Sequence, residues 1–463
     1  MPATPNPLNR RILSLALPAL GALVAEPLFV LIDSAMVGHL GAESLAGLSL
    51  ASTILTTVVG LFVFLAYATT ATTARLFGAG ERRAGLRAGV DGLWLAALLG
   101  LFAGVLLATT APLVVSALGG RGAVATAAVA YLRASAAGVP GMLVVFAATG
   151  ALRGLLDTRT PFVVATAGAV ANVLLNATFL YGLHLGIAGS GLGTALAQTG
   201  MGVALTLPLA KAARTEGVVL RPSGTGLGSS LGAGTPLLVR NISLRVAILA
   251  TVWAATSLGQ APLAAHQVVN TIWGLAAFSM DALAIAAQAL VGTALGEASA
   301  DAKPTDALLD KAEPNDTVLP QRLGVSVDAV LHRCLAWGVG TGMVIGMLVA
   351  ATSPWLPLLF TTDASVSAAA RPALLVAAAA MPLAGAVFLF DGVLMGAGDG
   401  RYLACAGVAT LVPYLPAAYA VAHGWPAGDG AGLLWLWGAF AWLFMGARAV
   451  TTGLRARSEA WRH

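Results

Sequence analysis

The stretch that decides the fold covers residues 13–38, LSLALPALGALVAEPLFVLIDSAMVG. It is long enough to cross a hydrocarbon core of about 30 Å as a helix. Its two charged side chains are those of Glu26 and Asp33. Because a carboxylate at the membrane centre costs about 2.5–3.5 kcal/mol on insertion scales, an acid there is expected to serve a function. Asp33 is therefore the first candidate site residue.

The surroundings of Asp33 in this helix suit a protein that moves ions. Burial disfavours the charged form of a carboxyl group, so Asp33 is suited to reversible protonation. Glu26 lies about two helical turns earlier and shares its face. Pro18 and Pro27 each remove one backbone hydrogen bond, which favours a bent helix. The alternative for Asp33 is a structural hydrogen bond to a neighbouring Ser or Asn.

The composition places the rest of the chain in a membrane. Of its 463 residues, 58% are hydrophobic and 10% are charged, with a mean hydropathy of +0.85. A soluble domain has about 25% charged residues. The net charge of +5 arises from basic residues in short loops between apolar spans, so we expect no nucleic-acid partner. The two cysteines imply no disulfide framework.

Twelve apolar spans follow one another along the chain and predict an all-α integral membrane protein. They are expected to be helices, because an open strand would leave backbone groups unpaired in lipid. The predicted limits are 12–37, 46–73, 90–115, 124–149, 161–183, 187–209, 236–258, 267–295, 334–353, 370–396, 402–422 and 431–453.

The distribution of basic residues predicts the orientation. With the N-terminus inside, the inner segments hold most of the Lys and Arg residues, the first being Arg10 and the last Arg462, with Arg448 among them. The outer loops hold little besides Arg121 and Arg371. This asymmetry predicts a multi-pass protein of the plasma (inner) membrane with both termini cytoplasmic.

An internal repeat divides the spans into two halves. Residues 150–159 (GALRGLLDTR) and 392–401 (GVLMGAGDGR) share G-x-L-x-G-x-x-D-x-R at an offset of 242, whereas Pro18 and Pro236 are related by an offset of 218. The polar segment 301–328 can hold the difference between the two offsets. Six helices in each half predict two lobes related by a pseudo-two-fold axis along the membrane normal.

The predicted domains follow from this repeat. Residues 1–215 form an N-terminal lobe, 216–235 a cytoplasmic linker and 236–463 a C-terminal lobe. The C-terminal lobe contains a polar cytoplasmic insertion at about 301–330, which we expect to be a partly disordered linker.

Two further groups of polar residues are candidates for a site. Asn172 and Asn176 are one turn apart in the fifth span and share a face. Their amides could hydrogen-bond Asp33 or line a polar cavity, or they could only join helices. The candidate members of a second polar or ion-pair network are Glu26, Arg240, Arg245, Asp281 and Asp391.

The roles open to this second network are structural or functional. Arg245 needs a counter-ion, and Asp281 or Asp391 is available. A structural ion pair is one interpretation, and a substrate or proton relay is the other. The sequence contains no nucleophile–base set and no metal motif such as H-E-x-x-H. It also contains no Walker A sequence. We therefore expect no enzyme, no metal and no cofactor other than a coupling ion.

Three motifs carry a family resemblance. They are P-x8-P-x5-D-S-x-x-V-G-x-L-G-x-x-x-L-A-G from Pro18, G-x-L-R-G-x-x-D-T-R from Gly150, and A-A-H-Q at residues 264–267. In this combination the chain resembles the multidrug and toxic compound extrusion (MATE) family over nearly its whole length, and is most similar to the branch named for DNA-damage-inducible protein F. The resemblance implies a V-shaped bundle of two lobes that exports cationic or amphipathic compounds in exchange for H+ or Na+.

The resemblance also implies roles for individual residues. The coupling acid of the family falls on Asp33, its helix-bending proline on Pro18, and its polar pair on Asn172 and Asn176. Some relatives have Asp where this chain has Asn176, and the sodium-coupled branch has a Glu in the seventh span, where this chain has no acid. Both departures favour H+ over Na+.

The hypothesis is therefore a proton-coupled multidrug antiporter, expected to be a monomer in the lipid bilayer. Protonation of Asp33 from outside would let the first helix repack around Pro18 and release the exported compound. A flippase for lipids or lipid-linked oligosaccharides is the alternative. A flippase would need a basic cleft, and Arg240 with Arg245 would supply only two basic side chains for it. A membrane-embedded enzyme ranks below both.

Overall fold

The computed structural model describes residues 7–302, 323–426 and 431–462, and in this part of the chain the regular structure is helical. The helices, in chain order, are α1 (Pro7–Gly38), α2 (Ala42–Gly78), α3 (Arg82–Ala117), α4 (Gly122–Ala136 with Val139–Gly154), α5 (Arg159–Gly182), α6 (Gly186–Thr215), α7 (Gly224–Ser257), α8 (Gln260–Asp301), α9 (Val327–Thr352), α10 (Ala364–Gly396), α11 (Gly400–Ala422) and α12 (Gly432–Arg457).

Within the described residues, eleven of these helices are each long and apolar enough to cross a membrane. The two pieces of α4 meet at an angle of 51° and supply a twelfth span if they are counted together. The bend lies where Pro140 opens the second piece. A Cβ atom on Gly138 would lie 2.5 Å from the Cα of Ala195, so glycine lets the bend pack closely on α6. The predicted all-α membrane fold is confirmed.

Several helices contain local irregularities. Helix α2 consists of Ala42–Leu61 and Phe64–Gly78, and π turns lie at Thr178–Gly182 in α5 and Ala439–Phe444 in α12. Pro18 and Pro27 both lie inside the single helix α1.

An ordinary side-chain cap begins α10. The carboxylate of Asp363 accepts a hydrogen bond of 2.8 Å from the backbone N–H of Ser365. Hydrogen bonds from the side chain and backbone of Ser365 hold the pKa of Asp363 below its usual range. This carboxylate therefore satisfies one of the orphan donors of the first turn.

The described residues separate into two compact units. The first unit contains the described residues of Leu17–Gly234 and Gly296–Leu323. The second unit contains those of Met1–Ala16, Thr235–Leu295 and Gly324–His463. The boundaries after Ala16 in α1 and after Gly234 in α7 are related by the offset of 218 found in the sequence.

The internal repeat has a matching contact in each of the two units. A Cβ atom on Gly150 would lie 2.4 Å from the carbonyl oxygen of Ala66, and one on Gly392 would lie 2.4 Å from that of Ala284. The glycines are related by the offset of 242 and the alanines by the offset of 218. The same close approach of two helices therefore occurs once in each unit.

The connection between α6 and α7 is fastened to α3. Oδ1 of the buried Asp91 accepts hydrogen bonds from the backbone N–H of Ser223 (3.1 Å) and from Nη2 of Arg87 (3.0 Å). Nε1 of Trp94 donates to the carbonyl oxygen of Leu220 at 2.7 Å. This connection is thus held against α3 by side chains of that one helix.

Helix α7 begins earlier than predicted and takes in part of the predicted linker 216–235. The Ser223 carbonyl oxygen accepts from the N–H of Leu227 at 2.8 Å, and its hydroxyl accepts from the N–H of Gly226. Hydropathy misses this first part of α7 because it is rich in glycine and serine. The predicted insertion falls mainly on residues 303–322, which lie outside the described residues.

Candidate functional site

Asp33 lies in the part of α1 that belongs to the first unit, and it is 4% exposed. Its Oδ1 accepts two hydrogen bonds, one from Nδ2 of Asn176 at 2.8 Å and one from Oγ of Ser190 at 2.5 Å. The donors come from α5 and α6. Both of these donors are uncharged side chains.

The hydrogen-bond network continues away from Asp33. Nδ2 of Asn176 also donates to Oδ1 of Asn172 at 2.9 Å, and Nδ2 of Asn172 donates to Oγ1 of Thr194 at 3.3 Å. Both asparagines are buried. The structure therefore brings together Asp33, Asn172 and Asn176, the three residues that the sequence singled out.

The local sequence of α5 and α6 makes this arrangement possible. Asn172 and Asn176 are one turn apart on α5, and Ser190 and Thr194 are one turn apart on α6, so each pair projects from one face. A Cβ atom on Gly193 would lie 2.0 Å from Oδ1 of Asn176. Glycine at this position therefore leaves the space that the amide group occupies.

Tyr131 of α4 completes the described surroundings of Asp33. Its side chain is buried, and its hydroxyl group interacts with both Asp33 and Thr194. Sequence reasoning missed Tyr131, Ser190 and Thr194. The spacing of Ser190 and Thr194 is a signal of the same kind as that of the two asparagines, but a tyrosine in an apolar helix gives none.

A second polar cluster lies in the second unit. Oδ2 of Asp391 in α10 accepts from Nη2 of Arg240 in α7 and from Nη2 of Arg448 in α12. Nη1 of Arg240 donates to Oδ1 of Asn241 at 3.0 Å. All four side chains are buried. The predicted ion pair between span 7 and span 10 is therefore formed by Arg240.

The other members of the predicted network differ from expectation. The expectation that Arg245 is buried and pairs with Asp391 is wrong. Its side chain is exposed, and Asp391 binds Arg240 and Arg448 instead. Five residues along a helix correspond to a rotation of about 140°, so Arg240 and Arg245 cannot share a face. Asp281 is partly buried in α8, and the side chain of Glu26 lies outside the described residues.

Arg448 is a partner of Asp391 that the sequence did not predict. It was counted only among the cytoplasmic basic residues, and its side chain is 8% exposed. Its guanidinium also lies 5.7 Å from the centroid of the Phe444 ring, one turn earlier in α12. An arginine this deep in a helix needs the counter-ion that Asp391 provides.

The second unit carries an uncharged counterpart of the Asp33 network. The offsets of 218 and 242 relate Asp33 to Thr251 and Asn172 to Tyr414. Both counterparts are buried, and their hydroxyl groups are hydrogen-bonded to each other. The counterparts are thus in direct polar contact in the second unit, whereas Asp33 and Asn172 are joined through Asn176 in the first. Neither counterpart is a carboxylic acid.

The chemistry open to the first-unit network follows from its donors. Hydroxyl and amide donors stabilise a charged carboxylate in a buried position, and addition of a proton would remove that charge. Among the described residues, no group of three or more His, Cys, Asp or Glu side chains is placed to hold a metal ion. The arrangement can therefore bind or release a proton at one carboxyl group.

Comparison with known proteins gives the family. The MatE family model matches residues 18–178 and 322–420, which together are more than half of the chain. The chain belongs to the MatE family. It is therefore a multi-pass membrane transporter for small molecules and not an enzyme. The match begins at Pro18 and includes all the residues of the Asp33 network on α1, α4 and α5.

Curated MatE relatives are similar along the chain. The chloroplastic protein DETOXIFICATION 44 of Arabidopsis thaliana is 28% identical over 98% of this chain and 84% of its own length. DNA damage-inducible protein F of Escherichia coli (strain K12) is 27% identical over 61% of this chain and 62% of its own length. The probable multidrug resistance protein NorM of Thermotoga maritima is 26% identical over 62% of this chain and 63% of its own length.

Solved structures of MATE transporters have the same fold. A Vibrio cholerae MATE transporter in a bent form superposes with a TM-score of 0.82 at 19% identity, with 98% of each chain covered. A MOP superfamily transporter from Pyrococcus furiosus has a TM-score of 0.81 at 20% identity, with 98% of this chain and 97% of the other covered. At these identities the comparison establishes the fold.

Proposed function

We propose that this MatE transporter is an antiporter that exports cationic or amphipathic small molecules in exchange for H+. The observation that carries the proposal is the buried Asp33, whose Oδ1 binds only uncharged donors among the hydrogen bonds described for it. The relative NorM, named a probable multidrug resistance protein, supports the substrate class.

The donors around Asp33 favour H+ over Na+. Among the described contacts of Asp33, the neighbours Asn176, Ser190 and Tyr131 are neutral, and no second carboxylate lies beside it to hold a cation. A proton needs a single oxygen, so it can bind at the Asp33 carboxyl group alone.

The transport cycle follows from the two charge states of Asp33. Protonation from outside removes the charge, weakens the bond from Asn176, and lets α1 repack around Pro18 as the exported compound leaves. Release of the proton inside restores the network for the next compound. Coupling requires only that proton and substrate differ in their affinity for the two conformations. We place the transporter in the plasma (inner) membrane as a monomer with both termini cytoplasmic.

The test is dye efflux in proteoliposomes under an imposed pH gradient and, separately, an imposed Na+ gradient. Wild type, Asp33→Asn and Asp363→Asn are compared, because Asp363 is an exposed acid that undergoes the same chemical change. We expect efflux driven by the pH gradient, its loss in Asp33→Asn, and normal efflux in Asp363→Asn. All three proteins are expected to melt at similar temperatures.

Three results would overturn the proposal. Normal efflux by Asp33→Asn would remove Asp33 from coupling. Efflux that follows only the Na+ gradient would assign the coupling ion to sodium. Absence of dye transport together with movement of a phosphorylated lipid across the bilayer would replace the antiporter with a flippase.

A further inference from the structure

We propose that Ser190 is a positioning residue that keeps Asp33 hydrogen-bonded in both its charged and its protonated forms. Ser190 thereby sets the pH at which the coupling proton is bound and released. This inference rests on the proposed function, because it takes Asp33 as the group that carries the proton.

The direction of the Ser190 hydrogen bond sets this residue apart. Hydroxyl groups inside a helix commonly bond a carbonyl oxygen of their own helix. Thr199 and Thr206 of α6 do so, each donating at 2.7 Å to the carbonyl oxygen four residues earlier. Ser190, in the first turns of the same helix, donates instead to Oδ1 of Asp33 in α1. The Ser190 hydroxyl therefore binds Asp33 and not a carbonyl oxygen of its own helix.

The geometry gives Ser190 a shorter hydrogen bond to Asp33 than Asn176 has. The Oγ–Oδ1 distance is 2.5 Å, whereas Nδ2 of Asn176 lies 2.8 Å from the same oxygen. Hydrogen bonds to an ionised carboxylate are short and about twice as strong as neutral ones. Ser190 is fully buried, so no solvent competes for the bond.

The two donors respond differently when Asp33 gains a proton. A protonated carboxyl group has an O–H that needs an acceptor, and an amide nitrogen can only donate. A serine hydroxyl can rotate its hydrogen away and accept through its oxygen. Ser190 can therefore keep its contact in both states, while the Asn176 N–H loses the charge that strengthens its bond.

The groups that face Asp33 come from three helices. They are Tyr131 of α4, Asn172 and Asn176 of α5, and Ser190 and Thr194 of α6. Among these, Tyr131 is the one titratable group, and its phenol is neutral across the physiological pH range. The charge state of the network therefore depends on Asp33 within the described contacts.

The test is the pH dependence of dye efflux in proteoliposomes at a fixed pH difference. In Ser190→Ala the charged form of Asp33 loses a donor, so the carboxyl group holds its proton to higher pH. We expect the half-maximal pH to rise by roughly one unit, because Ser190 bonds the charged form about twice as strongly as the protonated form and only this difference shifts the profile. Ser190→Thr retains the hydroxyl and is expected to restore the wild-type profile.

A matched control separates the site from the loss of a buried hydroxyl in general. Ser243 of α7 is also buried, but its hydroxyl donates to the Val239 carbonyl oxygen of its own helix at 3.0 Å. Ser243→Ala is expected to keep the wild-type pH profile. Ser190→Cys keeps the volume with a weaker donor, and its profile is expected to lie between those of wild type and Ser190→Ala.

The possible results distinguish the two proposals. An unshifted profile in Ser190→Ala, with pH-dependent wild type and inactive Asp33→Asn, overturns the role of Ser190 and leaves the proposed function standing. A wild type without pH dependence overturns the proposed function itself. If Ser190→Ala does not fold, the Ser190→Cys profile decides, and a wild-type profile for that variant also overturns the role of Ser190.

Discussion

Arg448 and Asp391 form a buried ion pair in which Nη2 of Arg448 donates to Oδ2 of Asp391. Arg240 donates to the same oxygen. One carboxylate oxygen thus joins α7, α10 and α12 of the second unit. The carboxylate is 3% exposed, so nearly all the stabilisation of its charge comes from protein groups.

Removal of this carboxylate should destabilise the second unit. Asp391→Asn leaves two buried guanidinium groups without their shared counter-ion, and breaking a buried pair costs about 3–5 kcal/mol. The measurement is the melting temperature in detergent. The control is Asp399→Asn, because Asp399 pairs with Arg455 in a more exposed position and the loss should be about 1 kcal/mol or less. Equal melting of the two variants would contradict the prediction.

A second acid beside Asp33 should change the coupling. In Asn176→Asp a carboxyl group replaces the amide that donates to Asp33 at 2.8 Å. Two carboxyl groups this close share a proton, and the last proton leaves at higher pH. We expect the efflux profile to extend to higher pH and efflux to become sensitive to Na+. A profile identical to wild type, with and without Na+, would show that the amide has no part in coupling.

The repeated glycines should contribute similarly to each unit. In Gly150→Ala and Gly392→Ala the new methyl group would collide with a carbonyl oxygen at the same distance, 2.4 Å. Overpacking of this kind costs about 1–3 kcal/mol. The control is Gly340→Ala in α9, where a Cβ atom would meet no atom within 4 Å and helix propensity should improve by about 1 kcal/mol. Thermal melts of the three variants check the order.

Loss of Asp91 should release the connection between α6 and α7. Asp91→Ala removes the acceptor for the Ser223 N–H and the partner of Arg87. We expect faster hydrogen exchange in residues 219–226, with little change in α5. Asp363→Ala, which removes the cap of α10 instead, should leave exchange in this connection as in wild type. Unchanged exchange in Asp91→Ala would mean that other contacts hold the segment.

The sequence predicts the helices and half of the site for a physical reason. A carboxyl group and two amides inside apolar helices are costly, so Asp33, Asn172 and Asn176 are visible without a structure. Ser190 and Tyr131 are not, because a hydroxyl or a phenol is common in membrane helices and acquires meaning only from its neighbours in other helices.

The second unit shows the same limit. Charge alone identifies Arg240 and Asp391, but the choice between Arg245 and Arg448 as a further partner depends on helix rotation and on contacts between helices far apart in sequence. Hydropathy likewise finds the apolar body of α7 and not its glycine-rich beginning at Gly224.

The hydrogen-bonded hydroxyls of Thr251 and Tyr414 have a consequence for the history of the chain. If the two halves descend from one duplicated ancestor, their equivalent positions were once the same residue. In the present chain only the first copy carries an acid, and in the second copy the hydroxyls of Thr251 and Tyr414 bind each other directly. With Asp33 as the proton carrier, only one of the two equivalent positions, Asp33 and not Thr251, exchanges a proton in each transport turnover. The stoichiometry of transport is then a product of divergence after duplication.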